Sequence, residues 1–414
     1  MSVYMCSFDL AKQHRIAKPG FWLTLALLLN LSLLLFMFQA AAAEPLLVKK
    51  QAFEISNFRT QNQQTISKVR VGWEAYGKLN ADKSNVILIT HYFSGTSHAA
   101  GKYLPQDAVP GYWDAIIGPG KAIDTNKFYV ISSDTLVNAN VKDPHVITTG
   151  PATINPATGK PYGLSFPVVT IRDFVEVQRA LLDSLGINKL YAVIGPSMGS
   201  FQAIEWATVY PERVQRLVPA IGTAYIDAWT AVRLERWAQP IKNDPHWQQG
   251  DYYGKTQQPE AGLARALAYI TQDASNPQGF NSRYPDIATD AAAHQDILAE
   301  PLAWQQLLAQ AKLRAVQQDA NHLLYLVRAS QLWRAGMGDN WQQSIRQIKA
   351  KTLFLPATGD LLLPPAMAKL SQQQLQATGN QATLTEIPGQ WGHLDGVLGI
   401  QAVGSQLAEF LTQP

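Results

Sequence analysis

Three residues, far apart in the chain, have the types and the order that nucleophilic acyl chemistry needs. Ser197 lies in Gly195-x-Ser197-x-Gly199, inside the stretch VIGPSMGSFQAIEW. A serine hydroxyl is a weak nucleophile near neutral pH, so it needs a base within hydrogen-bond reach and a third group to orient that base. Asp360 closes the stretch KTLFLPATGD, and His393 lies in the glycine-flanked GQWGHLDG. In these roles His393 takes the serine proton, and Asp360 fixes the imidazole tautomer and stabilises the imidazolium. Each residue alone has a plainer reading. The serine could sit in an ordinary strand-to-helix connection, the aspartate could cap the helix after Pro364 and Pro365, and the histidine could be a loop residue. The order Ser, Asp, His, with each residue following a strand, favours the catalytic reading.

The elements that must position these residues are legible in the hydropathy pattern. LYAVIG (Leu190 to Gly195) reads as a buried strand, and SFQAIEWATVY (Ser200 to Tyr210) as an amphipathic helix with Phe201, Ile204 and Ala207 at helical spacing. The glycines allow strand and helix nearly to touch at the serine, and the N–H of Met198 lies near a helix N-terminus, where negative charge is favoured. SNVILITHYFSG, KFYVISSD, VQRLVPAIG, KTLFLPATGD and QATLTEIPG read as further strands, the last of them closing the sheet. TIRDFVEVQRALLDSLGI reads as an amphipathic helix with Phe174, Val177, Leu181 and Leu185 on one face and Gly186 at its end. Strands alternating with helices predict an α/β fold with a mostly parallel central sheet covered on both faces. Between Gly222 and Lys351 the pattern becomes mainly helical and carries six of the eleven tryptophans: Trp229, Trp237, Trp247, Trp304, Trp333 and Trp341. This segment is expected to be an inserted cap, either as ordinary packing or as a pocket roof and dimer surface. The long loop Leu136 to Gly163, rich in Gly, Pro, Asn and Thr, is of the kind that borders active sites.

Composition narrows the classes. A chain of 414 residues with 47% hydrophobic residues can bury a large core, and a net charge of +3 gives no case for nucleic acid as a partner. No Walker, dinucleotide or H-E-x-x-H pattern appears, so neither cofactor nor metal is expected. Lys12, Arg15 and Lys18 precede the apolar run Phe21 to Phe38, and small residues follow at Ala41 to Ala43. That sequence has the parts of a secretory signal, placing the body in the periplasm or outside the cell. The run is also about long enough to span a bilayer, and an uncleaved anchor is the alternative, the one case in which a membrane is a partner. The single cysteine, Cys6, lies ahead of the run, which leaves the body without a thiol nucleophile. The expected organisation is a signal segment over 1–43, core over 44–222, cap over 223–350 and core again over 351–414.

The segments WEAYGKLNADKSNVILITHYFSGTSHAAG, GPSMGSFQAIEWATVYPERV, DANHLLYLVRA and TGDLLLPP carry a resemblance to a known family. Over roughly Trp73 to His393 the chain resembles the homoserine O-acetyltransferase family of the α/β-hydrolase superfamily. The resemblance implies Ser197 as nucleophile, Asp360 as orienting acid, His393 as base, and the backbone N–H groups of Phe93 and Met198 as the oxyanion hole. It also implies dimers joined through the cap. The sequence departs from the family pattern at several places. Pro196 and Ser200 flank the serine motif where glycines are usual. Tyr225 stands where an arginine holds the substrate carboxylate. Leu394 stands where an aspartate follows the histidine, with Asp395 one residue on. Asp395 and the cap residue Arg233 are the candidate replacements for those lost charges.

Three readings follow. The first is an exported serine hydrolase that acts on a small carboxylic ester. The second is an acyltransferase that moves an acetyl group from acetyl-CoA to an alcohol, as homoserine O-acetyltransferases do. The third is a non-catalytic binding protein on a hydrolase scaffold. The missing ionic partners for homoserine favour the first. His91, His98 and His322 are the other histidines that invite a role; His91, ending a buried strand, is expected to be structural or pocket-lining.

Overall fold

The computed structural model describes residues 46–285 and 295–413. The signal segment expected over 1–43 lies outside the described residues. Leu46–Pro414 form one compact unit, to which the helical insertion belongs.

Eight strands form the central sheet: β1 (Gln51–Arg59), β2 (Thr65–Tyr76), β3 (Val86–Thr90), β4 (Tyr129–Ser133), β5 (Ala192–Pro196), β6 (Arg216–Ala220), β7 (Lys351–Phe354) and β8 (Ala382–Leu384). Their spatial order is β1-β2-β4-β3-β5-β6-β7-β8. β2 pairs antiparallel with both β1 and β4, and every pairing from β4 to β8 is parallel. The central strands β3 and β5 are buried along their whole length, which is why they read as unbroken apolar runs.

Side chains alternate between the two faces of the sheet and divide the core. Val86 and Leu88 pack with Phe174, Leu181 and Phe201 on one face. Ile87 and Ile89 pack with Trp113, Leu407 and Phe410 on the other. Helix α1 (Ile171–Ser184) opens on a capping interaction, the Thr170 N–H donating to Asp173 Oδ2 at 2.7 Å. Helix α2 (Met198–Val209) starts two residues earlier than its periodicity suggests and is buried on every side from Met198 to Thr208, so it is not amphipathic. The insertion packs on this helix as well: Phe201 stacks on Trp333 with ring centroids 5.4 Å apart, and Glu205 accepts from the Gly336 N–H at 2.7 Å.

The segment between β6 and β7 forms α3 (Ala228–Lys242), α4 (Glu260–Ala274), α5 (Pro277–Arg283), α6 (Leu302–Ala315) and α7 (Ala320–Gln331). Helix α8 (Pro365–Gln376) follows β7 and α9 (Gly404–Thr412) ends the described chain.

Candidate active site

Ser197 occupies the one-residue turn between β5 and α2. Its backbone has φ 56° and ψ −122°, a conformation that side-chain-bearing residues adopt at a cost of about 1–3 kcal/mol. The flanking glycines are required by contact. A Cβ on Gly195 would lie 2.1 Å from Thr90 Oγ1, and one on Gly199 would lie 2.1 Å from the Thr90 carbonyl oxygen. Thr90 therefore marks where β3, β5 and α2 converge, and its hydroxyl donates to the Gly199 carbonyl at 2.7 Å. Ser200 donates to the Ser197 carbonyl at 2.6 Å and fills the space beside Gly222.

The fold brings the other two residues to this turn. Asp360 lies in the loop after β7 and is buried; its Oδ1 accepts the N–H groups of Leu362 at 2.8 Å and Leu363 at 2.9 Å. That leaves Oδ2 for His393 Nδ1, 2.6 Å away. His393 sits in the short turn Gly392–Leu394, where Gly392 takes φ 69°. Its Nε2 is 2.8 Å from Ser197 Oγ. An ionised carboxylate only accepts, so Nδ1 carries the ring proton and Nε2 accepts the serine hydroxyl. This is the arrangement in which His393 can remove the Ser197 proton.

Phe93 and Met198 both border the cavity at Ser197, and neither N–H donates to another group among the described residues. Met198 is the first residue of α2, where backbone N–H groups have no intrahelical acceptor. The loop carrying Phe93 is tied down by residues that sequence reasoning did not single out. Asn138 Nδ2 donates to the Gly95 carbonyl at 2.9 Å and Asn140 Nδ2 to the Ser94 carbonyl at 3.0 Å, both from the long loop after β4. Asp134 accepts the Ser97 N–H at 2.7 Å. Glu74 of β2, fully buried, faces Lys50 at 2.7 Å, His98 at 3.0 Å and the Tyr103 hydroxyl at 2.6 Å. Burial opposes its charge, but the bonds from His98, Lys50 and Tyr103 prevail and hold its pKa at about 2.

His91 and His322 are framework. His91 is buried, its Nε2 accepts the Thr135 N–H at 3.2 Å, and burial lowers its pKa. His322 is buried in α7, bonded to the Asn138 carbonyl at 2.9 Å and accepting the Ala152 N–H at 3.1 Å. It thereby locks the long loop that holds Ser94 and Gly95.

The cavity beside Ser197 is small, about 30 Å³. Helix α3 presents Thr230, Leu234 and Trp237 to it at helical spacing, and Phe93, Phe201 and Leu362 are among the other walls. Trp237 packs edge-on against Phe93 with ring centroids 5.5 Å apart. Among the described residues, none that lines this cavity is charged. A wider cleft of about 710 Å³ runs past Lys142, Tyr252, Glu260 and Lys312 and touches none of Ser197, Asp360 and His393.

The structure also places Tyr225, Asp395 and Leu394, the three substrate contacts expected from the sequence. Tyr225 stacks on Trp341 with centroids 4.4 Å apart, and its neighbour Ile226 lines the cavity at Ser197. Asp395 is buried and its carboxylate accepts the Trp391 N–H at 2.9 Å, close against Gly389, so it braces the histidine loop rather than facing a ligand. Burial raises its pKa. Leu394 is half-buried beside His393. Arg233 does not replace a substrate guanidinium either; it bonds Asp273 at 2.9 Å and the Leu361 carbonyl.

The family model of the alpha/beta hydrolase fold matches residues 142–399. The chain belongs to the α/β-hydrolase family. Within it, the chain is similar to the homoserine O-acetyltransferase of Symbiobacterium thermophilum, at 36% identity over 85% of this chain and 91% of that relative. Among solved structures, esterase E22 is 55% identical with a TM-score of 0.86, covering 88% of this chain and all of that one. Homoserine O-acetyltransferase from Bacillus anthracis is 36% identical with the same TM-score of 0.86, over 89% of this chain and 98% of that one. This α/β-hydrolase is an enzyme of the esterase or acyltransferase kind.

Proposed function

We propose that the protein is an exported serine hydrolase that cleaves small carboxylic esters by way of an acyl-serine. His393 Nε2 takes the Ser197 proton as Oγ attacks the ester carbonyl. The carbonyl oxygen, now negative, is received by the N–H groups of Phe93 and Met198. The tetrahedral intermediate collapses, the C–O bond to the alcohol breaks, and the imidazolium returns its proton to the departing alkoxide. Water then gives a proton to His393, attacks the acyl-serine, and leaves the acid while Ser197 recovers its proton. Export rests on the basic residues, apolar run and alanine-rich segment of the N-terminal sequence.

The observation that carries the hydrolase reading is the uncharged lining of the cavity at Ser197. A homoserine zwitterion approaching Ser197 past this lining would find no ionic partner in it for its ammonium or carboxylate, a costly burial. Asp395 and Arg233, the residues that could have supplied those charges, are engaged elsewhere. Losing two charge-assisted hydrogen bonds of about 1.5–3 kcal/mol each lowers selectivity by about two to four powers of ten.

Acetyl transfer to homoserine is the second reading, favoured by the names of the relatives at 36% identity. The two are separated by measuring kcat/KM for p-nitrophenyl acetate and for O-acetylhomoserine formation from acetyl-CoA and homoserine. The hydrolase reading expects the first to exceed the second by at least a hundredfold; efficient, saturable homoserine acetylation overturns it. Ser197→Ala is expected to abolish ester turnover and covalent labelling by a fluorophosphonate, and undiminished labelling of that variant would remove Ser197 from the mechanism.

A further inference from the structure

The cavity at Ser197 contains two hydroxyl groups whose positions the fold does not explain. Ser330, near the end of α7, lines it, is 3% exposed, and its Oγ has no hydrogen-bond partner among the described residues. Helical serines and threonines ordinarily return the hydroxyl to the carbonyl four residues back. In this molecule Thr208 does so to Ile204 at 2.8 Å, Thr271 to Leu267 at 2.8 Å and Ser371 to Met367 at 2.9 Å. Ser330 does not. Thr230, on α3 across the same cavity, is 2% exposed. Its N–H is taken by Asp227 at 2.8 Å, while its hydroxyl has no bond among the described residues. The surrounding walls, Phe93, Phe201, Leu234 and Trp237, offer no polar side-chain partner for either hydroxyl apart from the indole N–H, which Asp273 accepts at 2.7 Å.

A buried hydroxyl with nothing to bond is unfavourable, and its removal is nearly neutral unless a ligand uses it. Hydroxyls both donate and accept, and they are neutral, so they match a neutral polar substituent and leave a carboxylate or ammonium uncompensated. The cavity of about 30 Å³ admits only a few heavy atoms. It borders Ser197 and both oxyanion residues, where the acyl group stays after the alcohol departs.

We propose that Ser330 and Thr230 form a neutral hydrogen-bonding subsite for a hydroxyl on a short acyl group, so that small hydroxyacyl esters are the preferred substrates. The proposal rests on the ester-hydrolase reading and adds the acyl class to it. Phenyl glycolate and phenyl propionate test it, because their acyl groups are the same size and differ in a terminal OH against CH₃. Each kcat/KM is divided by the rate constant for hydroxide-catalysed hydrolysis of the same ester. The purified protein is expected to favour glycolate by about tenfold on this scale. Ser330→Ala is expected to bring the ratio to within about twofold of unity, and Thr230→Val to lower it in part. The melting temperature of Ser330→Ala should equal or exceed that of the parent.

A ratio at or below one in the parent protein, or a tenfold ratio that survives Ser330→Ala, overturns the subsite. So does a clear loss of thermal stability in Ser330→Ala, which would give the hydroxyl a structural partner. Turnover of both esters without discrimination refutes only the subsite. Absence of turnover of either ester, with Ser197 still labelled by a fluorophosphonate, refutes the hydrolase reading beneath it.

Discussion

At the scale of single residues, the geometry divides the side chains of the candidate relay from those that hold them in place. Ser197, His393 and Asp360 form one continuous relay of bonds at 2.8 and 2.6 Å, and Asp360 spends its second oxygen on two backbone N–H groups. These residues were legible in the sequence because a nucleophile on a sharp turn needs glycines, and because the triad order follows the strand order. Asp395 was misread because a carboxylate next to a catalytic histidine has two uses, and spacing cannot tell a ligand contact from a brace on the Trp391 N–H. Glu74 was not legible at all, since its partners Lys50, His98 and Tyr103 come from other segments. Its carboxyl is lowered from 4.5 to about 2 in the folded protein. A depressed pKa adds stability that is complete above the unfolded value and is lost as pH falls through the folded one. Acid unfolding should therefore carry a Glu74 contribution that fades between about pH 4.5 and pH 2, worth about 3 kcal/mol at neutral pH. Denaturant titrations across that range should show a shallower pH dependence in Glu74→Gln than in the parent, and identical slopes would refute the assignment.

At the scale of elements, the alternating strands and helices were readable because central parallel strands are buried on both faces and show as apolar runs. The β1–β2 hairpin was not anticipated. β1 is mostly exposed, and its alternation of Phe53 and Ile55 with polar residues is a weak signal. Helix α2 was read as amphipathic from Phe201, Ile204 and Ala207, whereas Met198 to Thr208 are all buried, Phe201 itself stacks on Trp333 of the insertion and Glu205 accepts from Gly336 there. The insertion also grips the catalytic loops through Asp273, which is 6% exposed at the end of α4. Its carboxylate accepts Trp237 Nε1 at 2.7 Å and bonds Arg233 at 2.9 Å and Arg236 at 2.5 Å. Trp237 in turn packs on Phe93, and Arg233 holds the Leu361 carbonyl next to Asp360. Removing one partner of such a buried group strands the others, so Asp273→Ala should cost about 3 kcal/mol of stability in equilibrium unfolding. It should also lower kcat by more than tenfold with a smaller change in KM, because the oxyanion loop and the acid loop both lose a support. Asp273→Asn keeps an acceptor for Trp237 and should recover part of kcat; an unchanged kcat in the alanine variant would show that the network positions nothing.

At the scale of the whole molecule, the strand order and the helical insertion between β6 and β7 assemble one site from segments widely separated in sequence. The proposal of export predicts that the protein recovered from the periplasm begins near Ala42 to Glu44, as read by N-terminal sequencing; a soluble cytoplasmic protein with an intact Met1 would contradict it. The separation of the site residues has a consequence for synthesis. Ser197 and His393 are 196 positions apart, and the acid and base both come after the insertion. At about 5–20 residues per second, a ribosome that has made the nucleophile needs roughly ten to forty seconds more to make its base. Throughout that interval the nascent chain carries a serine with no general base to activate it. Closing so long a loop is slow relative to local helix formation, so the finished chain also gains its relay late in folding. On the proposed mechanism the enzyme is thus born inert, and activity arises only when the C-terminal segment docks.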